Sequence, residues 1–309
     1  MKLVALLSAS VVLCGFAFAQ LPGIPGGGGI PGVDALFQKG PSITTSLPDA
    51  KWEAKDKDGL VTKPGDLFSL ERGPNHGFIL KAGAWKGTLQ SYCLKAGTHG
   101  PGNGDGYLFA PPKGPFEAAV IAVAKNSVDH PEIQQRPIQL LLWAMIARTK
   151  VLDLPRDQQA IAAKLLTPKQ IADINGGALG FLTDDRLGGA LIKEPPLVRQ
   201  VMEAENKLRG LLTNPASTFQ QMEAVAVLTG EAPWGKGSRE VPAGRWSKHP
   251  DGYYVRYIPS AYYTTNCEVY VEENSKAIGK EFDPSRHIAV PGNTAKQRLL
   301  QSARKQEGH

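Results

Sequence analysis

The sequence predicts an α+β fold: an antiparallel β-sheet formed by N- and C-terminal segments, with a multi-helix section between them. Three observations support this. Short glycine-bounded segments with two-residue alternation lie between residues 51 and 112. Apolar residues then recur at helical spacing over about 115–230. Strand-like segments return after a Gly/Pro-rich joint. Because strands and helices are segregated along the chain, an alternating βαβ fold is excluded.

The composition is typical of a globular protein. Of the 309 residues, 42% are hydrophobic and 21% are charged, and the net charge is +6. Basic residues concentrate only near the C-terminus, where no aromatic residues are interleaved with them. We therefore expect no nucleic-acid partner.

The N-terminus has the pattern of a secretory signal peptide over residues 1–19. It contains one Lys, an apolar stretch and the small-x-small sequence Ala17-Phe18-Ala19, which predicts cleavage before Gln20. This predicts an exported protein that is periplasmic, on the cell surface or secreted. The apolar stretch is too short to span a bilayer, and we predict no transmembrane segment. A Pro/Gly-rich linker is predicted to follow over residues 20–48.

The early strands are predicted at 77–83 and 87–97. In the second, alternation places Leu89, Ser91 and Cys93 on one face of the sheet. The segment 98–112 is rich in Asn-Gly and Asp-Gly pairs, which are typical of tight turns. No Gly-Lys-Ser/Thr triplet follows it, so a phosphate-binding loop is not indicated.

The middle section contains six segments with helical patterning: 116–128, 136–150, 156–166, 167–176, 196–212 and 217–230. The second is apolar on nearly every side, so we expect it to be buried. Pro137 fits its first position, which makes Gln139 the third helical residue and the one polar side chain before Arg148.

The last segments are predicted as strands followed by a tail. Residues 245–257 contain Pro-Asp-Gly and indicate a hairpin, and residues 266–273 place Cys267 on an apolar strand face. Residues 291–309 are interpreted as a basic C-terminal tail ending in a short frayed helix. A single α+β domain is therefore expected over residues 49–290.

Gln139 carries the main chemical hypothesis, because a buried carboxamide needs a partner. A local partner would be the backbone N–H of the helix cap residue. A covalent alternative is attack by a cysteine thiol, which would displace ammonia and leave an internal thioester. An amine or hydroxyl on another surface could then open that thioester.

The pair Tyr92-Cys93 and the later spacing Gln139-x-x-x-Trp143 resemble the thioester domains of bacterial surface adhesins. Ile138 and Leu141 stand where that family has Thr and Ala. The resemblance implies a Cys93–Gln139 thioester shielded from water by Trp143, in a protein that acts by binding or adhesion to a protein or glycan ligand.

Two alternatives for Cys93 remain open. Removal of the signal peptide leaves Cys93 and Cys267 in an oxidising compartment, which suggests a disulfide in a structural or interaction protein of the envelope. A secreted cysteine hydrolase would instead use Cys93 as nucleophile, with His99, His130 or His249 as base. The sequence does not favour an enzymatic function.

The sequence also offers one candidate binding face. Tyr253, Tyr254 and Tyr257 crowd a late strand and are candidates for a ligand-binding face. The six histidines are dispersed without metal-ligand spacing, so neither a metal site nor a cofactor is expected.

Overall fold

The computed structural model describes residues 41–50, 63–179 and 195–306. The predicted signal peptide and most of the predicted linker lie outside these residues. The α+β prediction is confirmed: strands from both ends of the chain form a large sheet, and helices occupy the middle of the sequence.

Twelve strands occur in the described residues, and many of them are short. They are β1 (Gly65–Asp66), β2 (Phe78–Ile79), β3 (Gly83–Cys93), β4 (Thr98–His99), β5 (Tyr107–Ala110), β6 (Val227–Leu228), β7 (Ser247–Lys248), β8 (Tyr254–Ala261), β9 (Thr264–Val271), β10 (Glu281–Phe282), β11 (Ile288–Pro291) and β12 (Leu299–Lys305).

The main sheet has the strand order β5-β11-β12-β3-β9-β8-β7, and β1 pairs in parallel with β3. The seven ordered strands pair antiparallel with their neighbours. The long strand β3 lies at the centre, between the late strands β12 and β9. The predicted hairpin is present as β7 and β8.

Among the described residues of the middle section there are six helices, in line with the apolar periodicity. They are α1 (Glu117–Asn126), α2 (Gln135–Ile146), α3 (Arg156–Leu165), α4 (Pro168–Leu179), α5 (Pro196–Thr213) and α6 (Phe219–Ala226). Their apolar side chains share one hydrophobic core with residues of β3, β5, β11 and β12. We call this the helix-side core. None of the described helices has the length and apolarity needed to cross a membrane.

The buried helix α2 begins two residues earlier than the predicted first position, Pro137. Its first residue is Gln135, so Pro137 is third and Gln139 is fifth. Proline is accommodated there because the first four N–H groups of a helix have no intrahelical acceptor. The helix ends before Arg148, whose φ of 54° turns the chain away.

A second core, the far-side core, lies on the other side of the sheet. It contains Leu89, Cys267 and Leu299, whereas Tyr92, Cys93 and Leu94 all belong to the helix-side core. The predicted alternation that grouped Cys93 with Leu89 is therefore wrong at the end of β3. Three consecutive residues contribute to the same core there because the regular pairing with β9 has ended.

The predicted basic C-terminal tail is also wrong. Residues 299–305 form β12, which pairs with both β3 and β11, and Leu299 and Leu300 are fully buried. Two-sided burial explains the apolar content of this segment. The expected short helix was inferred from a concentration of basic residues, of which Arg304 and Lys305 lie at the less buried end of β12.

The predicted linker ends earlier than residue 48. Ile43 and Leu47 are buried in the helix-side core, and the Ser42 hydroxyl donates to the Met145 carbonyl at 2.8 Å. Residues 41–50 therefore belong to the folded domain, because they cover the C-terminal end of α2.

The tyrosines predicted as a binding face are buried. Tyr253, Tyr254 and Tyr257 are 1%, 5% and 1% exposed. The hydroxyls of Tyr253 and Tyr257 lie 2.9 and 3.0 Å from the two ring nitrogens of buried His287. A neutral imidazole has one donor and one acceptor nitrogen, so this arrangement satisfies both. These two tyrosines therefore stabilise the far-side core and do not contact solvent.

We predict that His287 makes stability fall in acid. Burial, followed by the proximity of His249, lowers its pKa well below 6.5. The unfolded chain therefore binds a proton below pH 6.5 that the folded chain does not bind. The stabilisation is present above pH 6.5 and is lost as pH falls, by up to about 1.4 kcal/mol per pH unit for one proton.

Urea unfolding between pH 7.5 and 5 measures this effect. His287→Gln should be less stable at pH 7.5 but should have a shallower pH dependence than the wild type. The control His130→Gln alters a partly exposed histidine and should leave the slope unchanged. Parallel curves for the wild type and His287→Gln would contradict the prediction.

Candidate functional site

The site forms where β3 extends beyond β9. Regular pairing between these strands ends at Gln90 and Thr264, so the next β3 residues have no strand neighbour on this edge, although β12 pairs with them on the other edge. An unpaired buried backbone group costs about 1–3 kcal/mol. The adjacent helix α2 supplies the missing partners.

Two glutamines one helical turn apart on α2 provide these hydrogen-bond partners. Gln135 Nε2 donates to the carbonyls of Ser91 and Tyr263, at 3.0 and 2.6 Å. Gln139 Oε1 accepts from the Cys93 N–H at 2.8 Å, and its Nε2 donates to the Cys93 carbonyl at 3.0 Å. The Gln139 carboxamide thus pairs with Cys93 as a neighbouring strand would.

The local partner that the sequence offered for Gln139 is therefore not used. Because Gln139 is the fifth helical residue, it lies beyond the third position from which a side chain bonds the cap N–H. Both hydrogen-bonding groups of its amide are directed to β3, and the side chain is 2% exposed.

The Cys93 thiol lies on the same side of α2 as Trp143. The indole Nε1 of Trp143 donates to Cys93 Sγ at 3.1 Å. The Trp143 ring stacks on Phe219 with centroids 5.5 Å apart, and it contacts Tyr262 at 6.4 Å. The structure therefore brings Cys93, Gln139 and Trp143 together, with the tryptophan held in place by aromatic neighbours.

Burial keeps the thiol neutral. It raises the pKa of Cys93 to about 12, although hydrogen bonds from Trp143 and from the Lys95 backbone act in the opposite direction. A hydrolase would need a base beside this thiol to deprotonate it. The histidines proposed as its base have hydrogen-bond partners elsewhere in the described fold: His99, His130 and His249. The geometry therefore does not support the cysteine hydrolase.

The disulfide alternative is wrong. Both Cys93 and Cys267 are free and buried. Cys267 pairs with Gly87 on β3, six residues from Cys93, and strands rise by about 3.3 Å per residue. The two cysteines are therefore about 20 Å apart along the sheet, too far for a bridge. Their side chains also lie in different cores.

A surface pocket reaches this site. It has a volume of about 430 Å³, and Gln139 forms part of its wall. The other lining residues come from the start of α2 and the residue before it, from α6, from the end of β3 and from the turn between β8 and β9: Ser91, Gln134, Gln135, Arg136, Phe219, Glu223, Tyr262 and Tyr263. The Tyr262 hydroxyl donates a short hydrogen bond to Glu223 Oε1. The carboxamide is therefore buried but borders a cavity open to solvent.

The arrangement suits acyl chemistry at Gln139. The Cys93 N–H donates to the carboxamide oxygen, which is where negative charge develops when a nucleophile attacks the carbon. The hydrogen bond from Trp143 holds the thiol of Cys93 in place. The Gln139 amide contacts the backbone of the same residue. Among the described residues, no group of His, Cys, Asp and Glu could hold a metal ion.

Comparisons with protein-family models, curated proteins and solved structures found no match to this chain.

Sequence reasoning missed three members of the site: Gln135, Glu223 and Tyr262. The four-residue spacing of Gln135 and Gln139 was a usable signal, since it places both on one helix face. Glu223 and Tyr262 lie far from the motif in sequence. They reach it through the packing of α6 and through the turn between β8 and β9.

We predict a large structural contribution from the Gln139 hydrogen bonds. In a Cys93→Ala background, where no thioester can form, Gln139→Met should lower the free energy of unfolding by about 2–5 kcal/mol. The reason is that two buried backbone groups of residue 93 lose their partners, at about 1–3 kcal/mol each.

Chemical denaturation of the single and double variants measures this difference. The control Gln134→Met changes an exposed glutamine that precedes the same helix, and it should alter stability by less than about 0.5 kcal/mol. Equal effects of the two methionine substitutions would show that the carboxamide of residue 139 is not required by β3.

Proposed function

We propose that this is an exported envelope or cell-surface protein that binds a protein or glycan partner covalently, through an internal thioester between Cys93 and Gln139. The observation that carries the proposal is the contact of the Gln139 carboxamide with Cys93, together with the hydrogen bond from Trp143 to the sulfur. The proposal of export rests on the signal-peptide pattern of residues 1–19.

The thioester forms by intramolecular acyl transfer. Cys93 Sγ attacks Gln139 Cδ, the Sγ–Cδ bond forms and the Cδ–Nε2 bond breaks. The thiol proton leaves with the nitrogen as ammonia, so the step needs no oxidant and no cofactor. The Cys93 N–H stabilises the carboxamide oxygen during attack. The neutral thiol favoured by burial is the form that supplies this proton.

The partner opens the thioester from the pocket. An amine or hydroxyl on the partner attacks Gln139 Cδ, which forms an amide or ester and returns the Cys93 thiol. Cys93 and Gln139 are 0% and 2% exposed, and exclusion of water protects the acyl group from hydrolysis until a partner arrives. Each molecule reacts once, so this activity is adhesion and not turnover.

The resemblance to adhesin thioester domains supports the same reading. The order Tyr92-Cys93 followed by Gln139-x-x-x-Trp143 is that of the family, and the three functional positions meet in space. Trp143 lies against the sulfur, as expected for a residue that shields the bond from water.

Intact mass of the mature protein tests the proposal. We expect the wild type to be about 17 Da lighter than its sequence mass, because thioester formation releases ammonia. Incubation with methylamine should then add about 31 Da at Gln139 and expose the Cys93 thiol to alkylation.

Cys93→Ala and Gln139→Ala should have their full sequence masses and should not react with methylamine. Cys267→Ala is the matched control, since it removes the other buried cysteine and should retain the loss of ammonia. A full sequence mass for the purified wild type would refute the thioester and leave Gln139 as a hydrogen-bond partner of β3.

A further inference from the structure

We infer that Glu223, held by Tyr262, is the catalytic base that takes a proton from the incoming nucleophile when the thioester opens. This inference rests on the proposed function. It assigns a role to a carboxylate whose position that function leaves unexplained.

The position of Glu223 is the first argument. It lines the same pocket as Gln139, and it lies on α6 one turn after Phe219, whose ring stacks on Trp143. A nucleophile that enters the pocket to reach the Gln139 carbon therefore passes between a carboxylate and aromatic rings. Pockets of about 300–1,000 Å³ accommodate small ligands or single side chains, and this one measures about 430 Å³.

The orientation of the Glu223 carboxylate also supports this role. Tyr262 donates to its Oε1, and among the described residues no donor contacts its Oε2. Burial, followed by the hydrogen bond to Glu223, raises the pKa of Tyr262, so the phenol remains the donor. One oxygen is thus fixed and the other is available to an N–H of the nucleophile.

The charged and polar groups around Glu223 support the same role. The groups facing Glu223 are the Tyr262 phenol, the Cys93 thiol and the Arg136 guanidinium, which lies 5.2 Å from the Phe219 ring centroid. Arg136 is exposed at the pocket mouth, whereas Glu223 is partly buried. A carboxylate in this position stabilises the positive charge that develops on an attacking amine nitrogen, and it accepts the proton that this nitrogen loses.

The proton balance is complete. The neutral amine attacks Gln139 Cδ, the C–N bond forms and the C–S bond breaks. Glu223 takes the proton that the nitrogen loses and passes it to Cys93 Sγ, so the products are a substituted amide and a neutral thiol.

Aminolysis of the full mature chain by methylamine tests the assignment, with the rate followed by intact mass from pH 6 to 9. Glu223→Gln keeps an acceptor for Tyr262 and should still lose ammonia. Its aminolysis at pH 7 should be about 100-fold slower than that of the wild type. The rate should rise more steeply with pH, because hydroxide must then take the proton that Glu223 no longer accepts.

Further variants complete the test. Tyr262→Phe should slow aminolysis by a smaller factor, because it releases the carboxylate without removing it. Glu231→Gln, which changes an exposed acid outside this pocket, should react as the wild type does.

The outcomes are distinguishable. A thioester in Glu223→Gln that reacts with methylamine at the wild-type rate overturns the role of Glu223 but not the proposed function. A folded Glu223→Gln that never loses ammonia also overturns it, since the residue would then act in formation of the bond. A wild type without the thioester overturns the proposed function and this inference together.

Discussion

The pairing of the Gln139 carboxamide with the backbone of Cys93 is the interaction on which the site depends. It exists because β3 is longer than the strand beside it, so its last residues need hydrogen-bond partners from outside the sheet. Helix α2 supplies them with two glutamines at four-residue spacing. The structural need of the strand end and the chemistry proposed for Gln139 therefore arise from the same contact.

This dual role constrains how the site could form a covalent bond. The hydrogen bonds that satisfy Cys93 also fix the carbonyl carbon of Gln139 beside the residue whose thiol would attack it. Trp143 and its aromatic neighbours immobilise the sulfur on the other side. Little conformational entropy remains to be lost at the moment of reaction, which is the condition under which intramolecular acyl transfer is fast.

The sequence predicted what depends on local pattern. The segregation of helices and strands and the burial of α2 followed from periodicity. The meeting of Cys93 with Gln139 and Trp143 was implied by the resemblance to adhesin thioester domains. The C-terminal strand did not, because a central strand is defined by neighbours distant in sequence, and its basic residues resembled those of a solvated tail. The exposed tyrosine face failed for a related reason: partners such as His287 are not visible in the pattern of one strand. The role of Glu223 could not be predicted from the sequence, because only tertiary packing brings α6 next to the motif.

The central position of β12 in the sheet determines when the surroundings of the Cys93 sulfur are complete. Cys93 pairs with Leu299, so the environment of the sulfur is incomplete until a strand far downstream in the sequence has joined the sheet. Such a distant pairing forms slowly and late. A chain exported from its N-terminus, as proposed, would therefore stay chemically inert during passage and would become reactive only after β12 had emerged.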